Sequence, residues 1–224
     1  MNAYTVAIRE TLRLAGTPAN AGPMKAYMKN RYEFLGIKAP ERRALTKLFL
    51  SKKTLPVKDD IWEIIYELWQ MPEREFQYFA MDLILRYNRL MEESWLDHYE
   101  FMIMEKSWWD TVDFIAVNLA GNYFMKFPHM IGTITGRWMH TGNIWLQRSC
   151  LLFQLKYKKN TDTTLLSSFI SDLSGSGEFF ISKAIGWILR EYSKTDPVWV
   201  RDFVLNQPLQ SLSRKEALRR IPAQ

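Results

Sequence analysis

The sequence is poor in the side chains that most metal sites use. Its 224 residues include one cysteine, Cys150, and three histidines, His98, His129 and His140. A single thiol cannot form an internal disulfide, and thiolate zinc or iron–sulfur sites need several cysteines. No histidine belongs to an H-E-x-x-H pattern, which would place two metal ligands on one helix face. The composition therefore excludes a disulfide-stabilised secreted fold and most kinds of metal chemistry.

Long apolar stretches are missing as well. No run approaches the roughly 18 apolar residues that a membrane-spanning helix needs. The first residues, Met1-Asn2-Ala3-Tyr4-Thr5, lack the basic region and apolar stretch of a secretory signal peptide. The reduced cytoplasm is the expected location, and no membrane contact is expected.

What the sequence does contain is basic charge and many aromatic rings. The formal net charge is +6, and there are nine Trp, ten Tyr and thirteen Phe residues. The charge is uneven, because residues 1–58 carry +9, residues 59–136 carry −9 and residues 137–224 carry +6. Basic ends favour a polyanionic partner, whose phosphates release condensed counterions when they bind Lys and Arg. Chance clustering of solvated helix faces is the alternative interpretation.

Apolar residues recur at helical spacing almost throughout the chain. In residues 61–69 they follow one another in steps of three and four, whereas the alternation typical of strands is hard to find. Helix starts are also marked: Ser107 is a predicted N-cap, and Ser213 with Glu216 forms a predicted capping box. The patterning predicts an all-α protein.

Four tyrosines mark an internal repeat of about 35 residues. Spaced 36, 34 and 35 residues apart, they are Tyr87, Tyr123, Tyr157 and Tyr192. An all-helical repeat of this length is typical of an α-solenoid, in which each helix pair buries its apolar face on its neighbours. We therefore predict stacked helical repeats that form one domain over residues 1–224. A coincidental match between amphipathic helices is the alternative.

Positions one repeat apart face the same way in a solenoid, and one such series is polar or amphipathic at every step. Its members are Arg43, Tyr78, Asp113, Arg148 and Lys183. Series displaced by four or seven residues are mostly apolar, so the polar series is a candidate for the concave binding surface. Trp109 lies one helical turn before Asp113, and Trp187 and Arg190 follow Lys183 on one helix face.

These side chains indicate a particular chemistry. Lys and Arg suit phosphate oxygens, and aromatic faces suit bases, sugars or cationic rings. A carboxylate among them, Asp113, is unfavourable for a plain phosphate binder but suits a substrate that carries positive charge. Cleavage of an N-glycosidic bond gives the sugar oxocarbenium character, which a nearby carboxylate stabilises. An N-alkylated base is already cationic and leaves without a general acid.

Three segments, met in order along the chain, make the interpretation more specific. They are KSWWDTVD at 106–113, NIWLQR at 143–148 and EFFISKAIGWILREY at 178–192. Together they resemble the AlkD family of DNA alkylation repair glycosylases. Residues 24–30 and 34–43 are similar to its N-terminal part, so the resemblance covers nearly the whole chain.

The resemblance implies a fold and a reaction. The fold would be HEAT-like repeats curved around duplex DNA, which lies in a concave groove. The reaction would be monofunctional hydrolysis of cationic N3- and N7-alkylpurine nucleotides, such as 3-methyladenine and 7-methylguanine, with the damaged base left stacked. Neither a metal nor an organic cofactor is implied, and a monomer is expected because one groove needs no partner subunit.

The resemblance also implies roles for individual residues. Asp113 matches the catalytic carboxylate, and Trp109 and Trp187 match the aromatic pair at the lesion's deoxyribose. Arg148 matches an arginine that contacts DNA. The remaining residues expected on the DNA-facing surface are Phe179, Phe180, Arg190 and Tyr27 by resemblance, and Lys183 and Arg43 from the polar series.

Two other functions remain open from the residues. A non-catalytic helical-repeat protein that binds DNA or structured RNA would explain the basic ends and the aromatics, but not Asp113. A protein-interaction scaffold, a common use of α-solenoids, would explain the repeats but not the cations of the polar series.

Overall fold

The computed structural model describes residues 1–221, and it is helical throughout. Within these residues there are no strands beyond an isolated bridge between Glu33 and Glu73. The chain divides into two compact units, one of residues 1–92 and one that begins at Glu93. The predicted all-α fold of helical repeats is confirmed, while the single domain over residues 1–224 stays a prediction.

Five α-helices make up most of the first unit. They are α1 (Ala3–Leu14), α2 (Pro18–Tyr27), α3 (Ala39–Thr46), α4 (Ile61–Gln70) and α5 (Arg74–Ile84). The apolar positions predicted in α4 are all buried. On α5 the carboxylate of Glu75 accepts hydrogen bonds from the backbone N–H groups of Leu35, Gly36 and Ile37 at 3.0 to 3.1 Å. Gly36 has φ +87°, a conformation that favours glycine, so this loop is held in place by one buried side chain.

Nine α-helices make up most of the described part of the second unit. They are α6 (Trp95–Met104), α7 (Trp109–Phe114), α8 (Gly121–Lys126), α9 (Ile131–His140), α10 (Ile144–Leu152), α11 (Thr163–Leu173), α12 (Phe179–Tyr192), α13 (Pro197–Asn206) and α14 (Ser211–Leu218). A π-helical segment, Ile115–Ala120, joins α7 to α8 without a break. Among residues 1–221, no helix combines the length and hydropathy needed to cross a membrane.

The repeating tyrosines connect successive repeats. The Tyr123 hydroxyl donates to the carbonyl of Glu93 at 2.9 Å, and the Tyr157 hydroxyl donates to the carbonyl of Gly121 at 2.6 Å. In the first unit, Tyr87 donates in the same way to the carbonyl of Pro56. The fourth member, Tyr192, packs its ring edge-on against Trp199. The period of about 35 residues therefore has a physical cause, because three of its tyrosines satisfy backbone carbonyls 30 to 36 residues earlier.

Two predicted helix caps are wrong. Trp108, in extended conformation, is the N-cap of α7, and the Ser107 hydroxyl instead lies 2.7 Å from the carbonyl oxygens of Ile103 and Met104 at the end of α6. Ser213 lies inside α14, whose N-cap is Gln210. The Ser107 hydroxyl thus bonds back to the last turn of α6, and the Ser213 hydroxyl donates to the carbonyl of Ser182 on α12, so neither serine acts as an N-cap.

Close packing at Gly121 gives a test of the repeat contact. A Cβ atom at this position would lie 2.6 Å from the carbonyl oxygen of Phe153, which belongs to the backbone and cannot rotate away. We expect Gly121→Ala to destabilise the protein by about 1 to 3 kcal/mol, measured by urea denaturation.

The matched control is Gly136→Ala in α9, where an added Cβ meets nothing within 4 Å. There alanine restricts the unfolded chain without a clash, so stability should rise by about 0.4 to 1 kcal/mol. Equal urea midpoints for Gly121→Ala and the wild type would show that the contact is not tight.

Candidate functional site

A cleft of about 340 Å³ opens in the second unit, and its walls come from α7, α10, α12 and the end of the described chain. Its lining combines aromatic rings, cations and one carboxylate: Trp109, Phe179, Phe180, Trp187, Arg148, Lys183, Arg190, Arg219 and Glu216. Seven of the residues predicted for the site, Trp109 among them, lie together here. Among residues 1–221, no group of three or more His, Cys, Asp or Glu side chains is placed to hold a metal ion.

Asp113 lies behind this lining and is held by Arg148. The Arg148 Nε donates to Asp113 Oδ1 at 2.7 Å, and its Nη2 donates to Oδ2 at 2.8 Å. The third guanidinium nitrogen, Nη1, donates to the carbonyl of Phe180. One arginine therefore joins α7, α10 and α12. Because the two residues are 35 positions apart, this pair connects equivalent positions of adjacent repeats.

Both side chains of this pair are largely buried, and burial shifts the pKa of Asp113. The side chain of Asp113 is 15% exposed and that of Arg148 is 5% exposed. Burial raises the pKa of Asp113 above the ordinary aspartate value, and the charge of nearby Asp110 raises it further. Hydrogen bonds and charge from Arg148 act in the opposite direction but do not offset the burial completely. The carboxylate is thus a stronger base than a solvated aspartate.

An aromatic cluster supports the cleft from behind. Trp108, Trp145 and Phe180 pack with ring centroids 5.0 to 5.7 Å apart. Trp108 is buried and immediately precedes Trp109, the first residue of α7. The cluster therefore fixes the start of α7 against the start of α12. In the segment KSWWDTVD the two tryptophans thus have different positions, one in the core and one at the cleft.

Sequence reasoning missed Glu216 as a member of the site. Its carboxylate contacts Lys183 Nζ at 3.2 Å and also pairs with Arg190. Both cations were predicted to contact DNA, and both have this carboxylate as a neighbour. The repeat spacing gave no signal for it, because one further step of 35 residues from Lys183 falls on Leu218 and not on Glu216.

The remaining two predicted residues lie in the first unit. Tyr27, at the end of α2, is 69% exposed and lines a mostly apolar cleft with Met24 and Phe34. Arg43 is exposed on α3, in a separate cleft with Arg86. Their contact with DNA stays a prediction, as do the roles of the residues in the second unit.

Comparison with known proteins identifies the family. The family model described as DNA alkylation repair enzyme matches residues 8–221. The chain belongs to this family. Membership implies a role in the repair of alkylation damage, with DNA as the substrate.

A solved structure agrees with this assignment. The chain is 34% identical to a protein described as a predicted DNA alkylation repair enzyme from Enterococcus faecalis, with a TM-score of 0.86. The match covers 93% of this chain and 97% of the other. No curated protein matches the chain.

The buried ion pair predicts a large loss of stability on truncation. Arg148→Ala would leave the Asp113 carboxylate in a site with little solvent, which costs about 3 to 5 kcal/mol for a buried pair. We expect the midpoint of urea unfolding to fall accordingly. Arg137→Ala is the control, because the Arg137 side chain in its pair with Glu100 is 50% exposed and its loss should cost at most about 1 kcal/mol. Similar losses in both variants would contradict the assigned burial.

Proposed function

We propose that this protein is a monofunctional DNA N-glycosylase that hydrolyses the bond between deoxyribose and a cationic N3- or N7-alkylpurine. The observation that carries the proposal is the Asp113 carboxylate, held by Arg148 one helical turn from Trp109. A basic carboxylate beside aromatic faces suits a reaction that develops positive charge on a sugar. Membership of the DNA alkylation repair family supports alkylated DNA as the substrate of such a reaction.

The proposed reaction needs no proton donor, because the leaving base is already cationic. The bond between C1′ and the purine nitrogen breaks, and its electron pair leaves with the base. This pair neutralises the base's positive charge, while the deoxyribose becomes oxocarbenium-like. A water molecule then adds to C1′ and loses a proton to the solvent. Asp113 stabilises the positive sugar and orients the water, and the faces of Trp109 and Trp187 add cation–π attraction.

The other cleft residues would bind the DNA strand. Lys183 and Arg190 suit phosphate oxygens, and Phe179 and Phe180 offer apolar contact to the sugar and bases. We propose that the lesion stays stacked in the duplex, unlike the flipped bases of most glycosylases. The protein would act as a monomer on double-stranded DNA.

Arg148 has a different part in this proposal from the one implied by resemblance. Its donors bind Asp113 and the Phe180 carbonyl, and its side chain is almost completely buried. We therefore propose that Arg148 is a positioning residue, which orients the carboxylate and places α12 beside it. Any effect of its replacement on DNA binding would then arise through these neighbours.

Replacement of the carboxylate tests the glycosylase. Asp113→Asn keeps the shape and one acceptor for Arg148 but removes the negative charge. We expect the single-turnover release of 7-methylguanine from alkylated duplex DNA to fall by about 100-fold or more, with duplex affinity largely unchanged. Full activity of the variant would disprove the role of Asp113.

The control removes a carboxylate from elsewhere in the second unit. Asp172→Asn, on the exposed surface of α11, should release base at the wild-type rate. If the wild-type protein itself releases no base from alkylated duplex DNA but binds it, a non-catalytic DNA-binding function replaces the proposal.

The pH dependence of excision tests the position of Arg148. The reaction needs ionised Asp113, so the rate should rise as the pH passes the pKa of this group, which burial places above the ordinary value. Arg148→Lys loses the bidentate hydrogen bonds that lower this pKa, so the rising limb should move to higher pH. Rates are measured as base release, with spontaneous release subtracted at each pH. A limb that stays in place, with only weaker DNA binding, would mean that Arg148 acts on DNA and not on Asp113.

A further inference from the structure

Helix α14 brings Glu216 into the cleft through an unusually close contact with α12. A Cβ atom at Gly186 would lie 2.6 Å from the Cβ of Glu216 and 3.1 Å from the carbonyl oxygen of Ser213. The buried Ser213 hydroxyl donates to the carbonyl of Ser182 at 2.8 Å. A glycine on one helix and a serine on the other therefore fix α14 at this distance, and the position of the Glu216 carboxylate follows from it.

Glu216 is ionised beside the two cations that it contacts. The hydrogen bond from Lys183 is the largest influence that lowers the pKa of Glu216, and the charges of Lys183, Arg190 and Arg219 lower it further. These contacts occupy only part of the cations' capacity, because an ammonium has three donors and a guanidinium five. Lys183 is also 40% exposed. A phosphate reaching these cations would meet a carboxylate already bound to them.

The negative charge of Glu216 would act differently on undamaged nucleotides and on nucleotides with a cationic base. It repels an anionic backbone and competes with phosphate for Lys183 and Arg190. It also attracts a positively charged base in the same cleft. The Lys183–Glu216 separation of 3.2 Å is well within the Debye length of about 8 Å at physiological ionic strength, so salt screens this interaction only in part.

We propose that Glu216 is a specificity-determining residue, which weakens the binding of undamaged duplex DNA and favours a duplex with a cationic base in the cleft. The inference deepens the proposed glycosylase function and rests on it for the identity of the cationic ligand. Asp113 would act on the sugar during the reaction, whereas Glu216 would act on the choice of nucleotide before it. The two carboxylates belong to different helices, α7 and α14, and bind different cations.

The test compares two DNA probes that are not cleaved during the measurement. One is an undamaged duplex. The other is the same duplex with a single 7-methylguanine on a 2′-fluoro-2′-deoxyribose, because the fluorine disfavours the oxocarbenium ion and the base keeps its charge. Affinities are measured by fluorescence anisotropy over a series of salt concentrations with the wild type and Glu216→Gln.

We expect Glu216→Gln to bind the undamaged duplex about two- to fivefold more tightly, as befits the loss of a partly exposed ion pair. The slope of log affinity against log salt should steepen by about one, since a cation becomes available for a phosphate. The preference for the cationic probe over the undamaged duplex should fall. Glu216→Ala, which keeps the Cβ contact with Gly186 and favours a helix, should give the same change in preference and serves if Glu216→Gln does not fold.

The matched control is Glu191→Gln. Glu191 lies on α12, pairs with Lys194 and lines a different cleft, so its replacement makes the same change in net charge. It should leave the preference between the two probes unchanged. An equal shift in Glu191→Gln and Glu216→Gln would reduce the effect to net charge and overturn the proposal.

Two further outcomes separate the inference from the proposed function. If Glu216→Gln weakens both probes equally, Glu216 only positions Lys183 and Arg190, and the specificity proposal is wrong even though base release continues. If the wild-type protein releases no base, but Glu216→Gln still loses its preference for the cationic probe, the glycosylase proposal fails and the selective role of Glu216 stands.

Discussion

The ion pair between Asp113 and Arg148 is the interaction on which the candidate site depends. Two hydrogen bonds set the plane of the carboxylate, and a third, to the Phe180 carbonyl, places α12. A buried pair of this kind stabilises a fold weakly compared with apolar packing, but it tolerates little variation in geometry. Its main contribution here is orientation, because a single guanidinium determines where α7, α10 and α12 meet.

The charges at the candidate site form two separate groups. Asp113 is neutralised by a buried arginine, whereas Glu216 shares two cations that remain partly exposed. The first group is insulated from salt, and the second is accessible to it. The aromatic cluster of Trp108, Trp145 and Phe180 fixes the starts of α7, α10 and α12 against one another. In the proposed function, orientation and selection of the ligand would therefore depend on different contacts in the same unit.

Much of this arrangement could be predicted from the sequence, because it depends on spacing. Apolar positions in steps of three and four predicted helices, and the tyrosine period predicted their repetition. The polar series placed Asp113 and Arg148 at equivalent positions of adjacent repeats, but their ion pair was not predicted, because Arg148 was expected to contact DNA. Glu216 could not be placed in this way, since its position depends on how closely α14 approaches Gly186. Such an approach is a property of the tertiary packing, and a local pattern instead suggested a helix cap.

The tyrosine hydroxyls that bind backbone carbonyls have a consequence for how the repeats can change. Tyr123 and Tyr157 bind atoms that every amino acid possesses, at Glu93 and Gly121. The hydrogen bond itself therefore does not select the side chain at the accepting position, and Gly121 is restricted by a separate contact, the close approach of the Phe153 carbonyl. Where no such contact intervenes, the side chain at the accepting position can change while the register between adjacent repeats is kept.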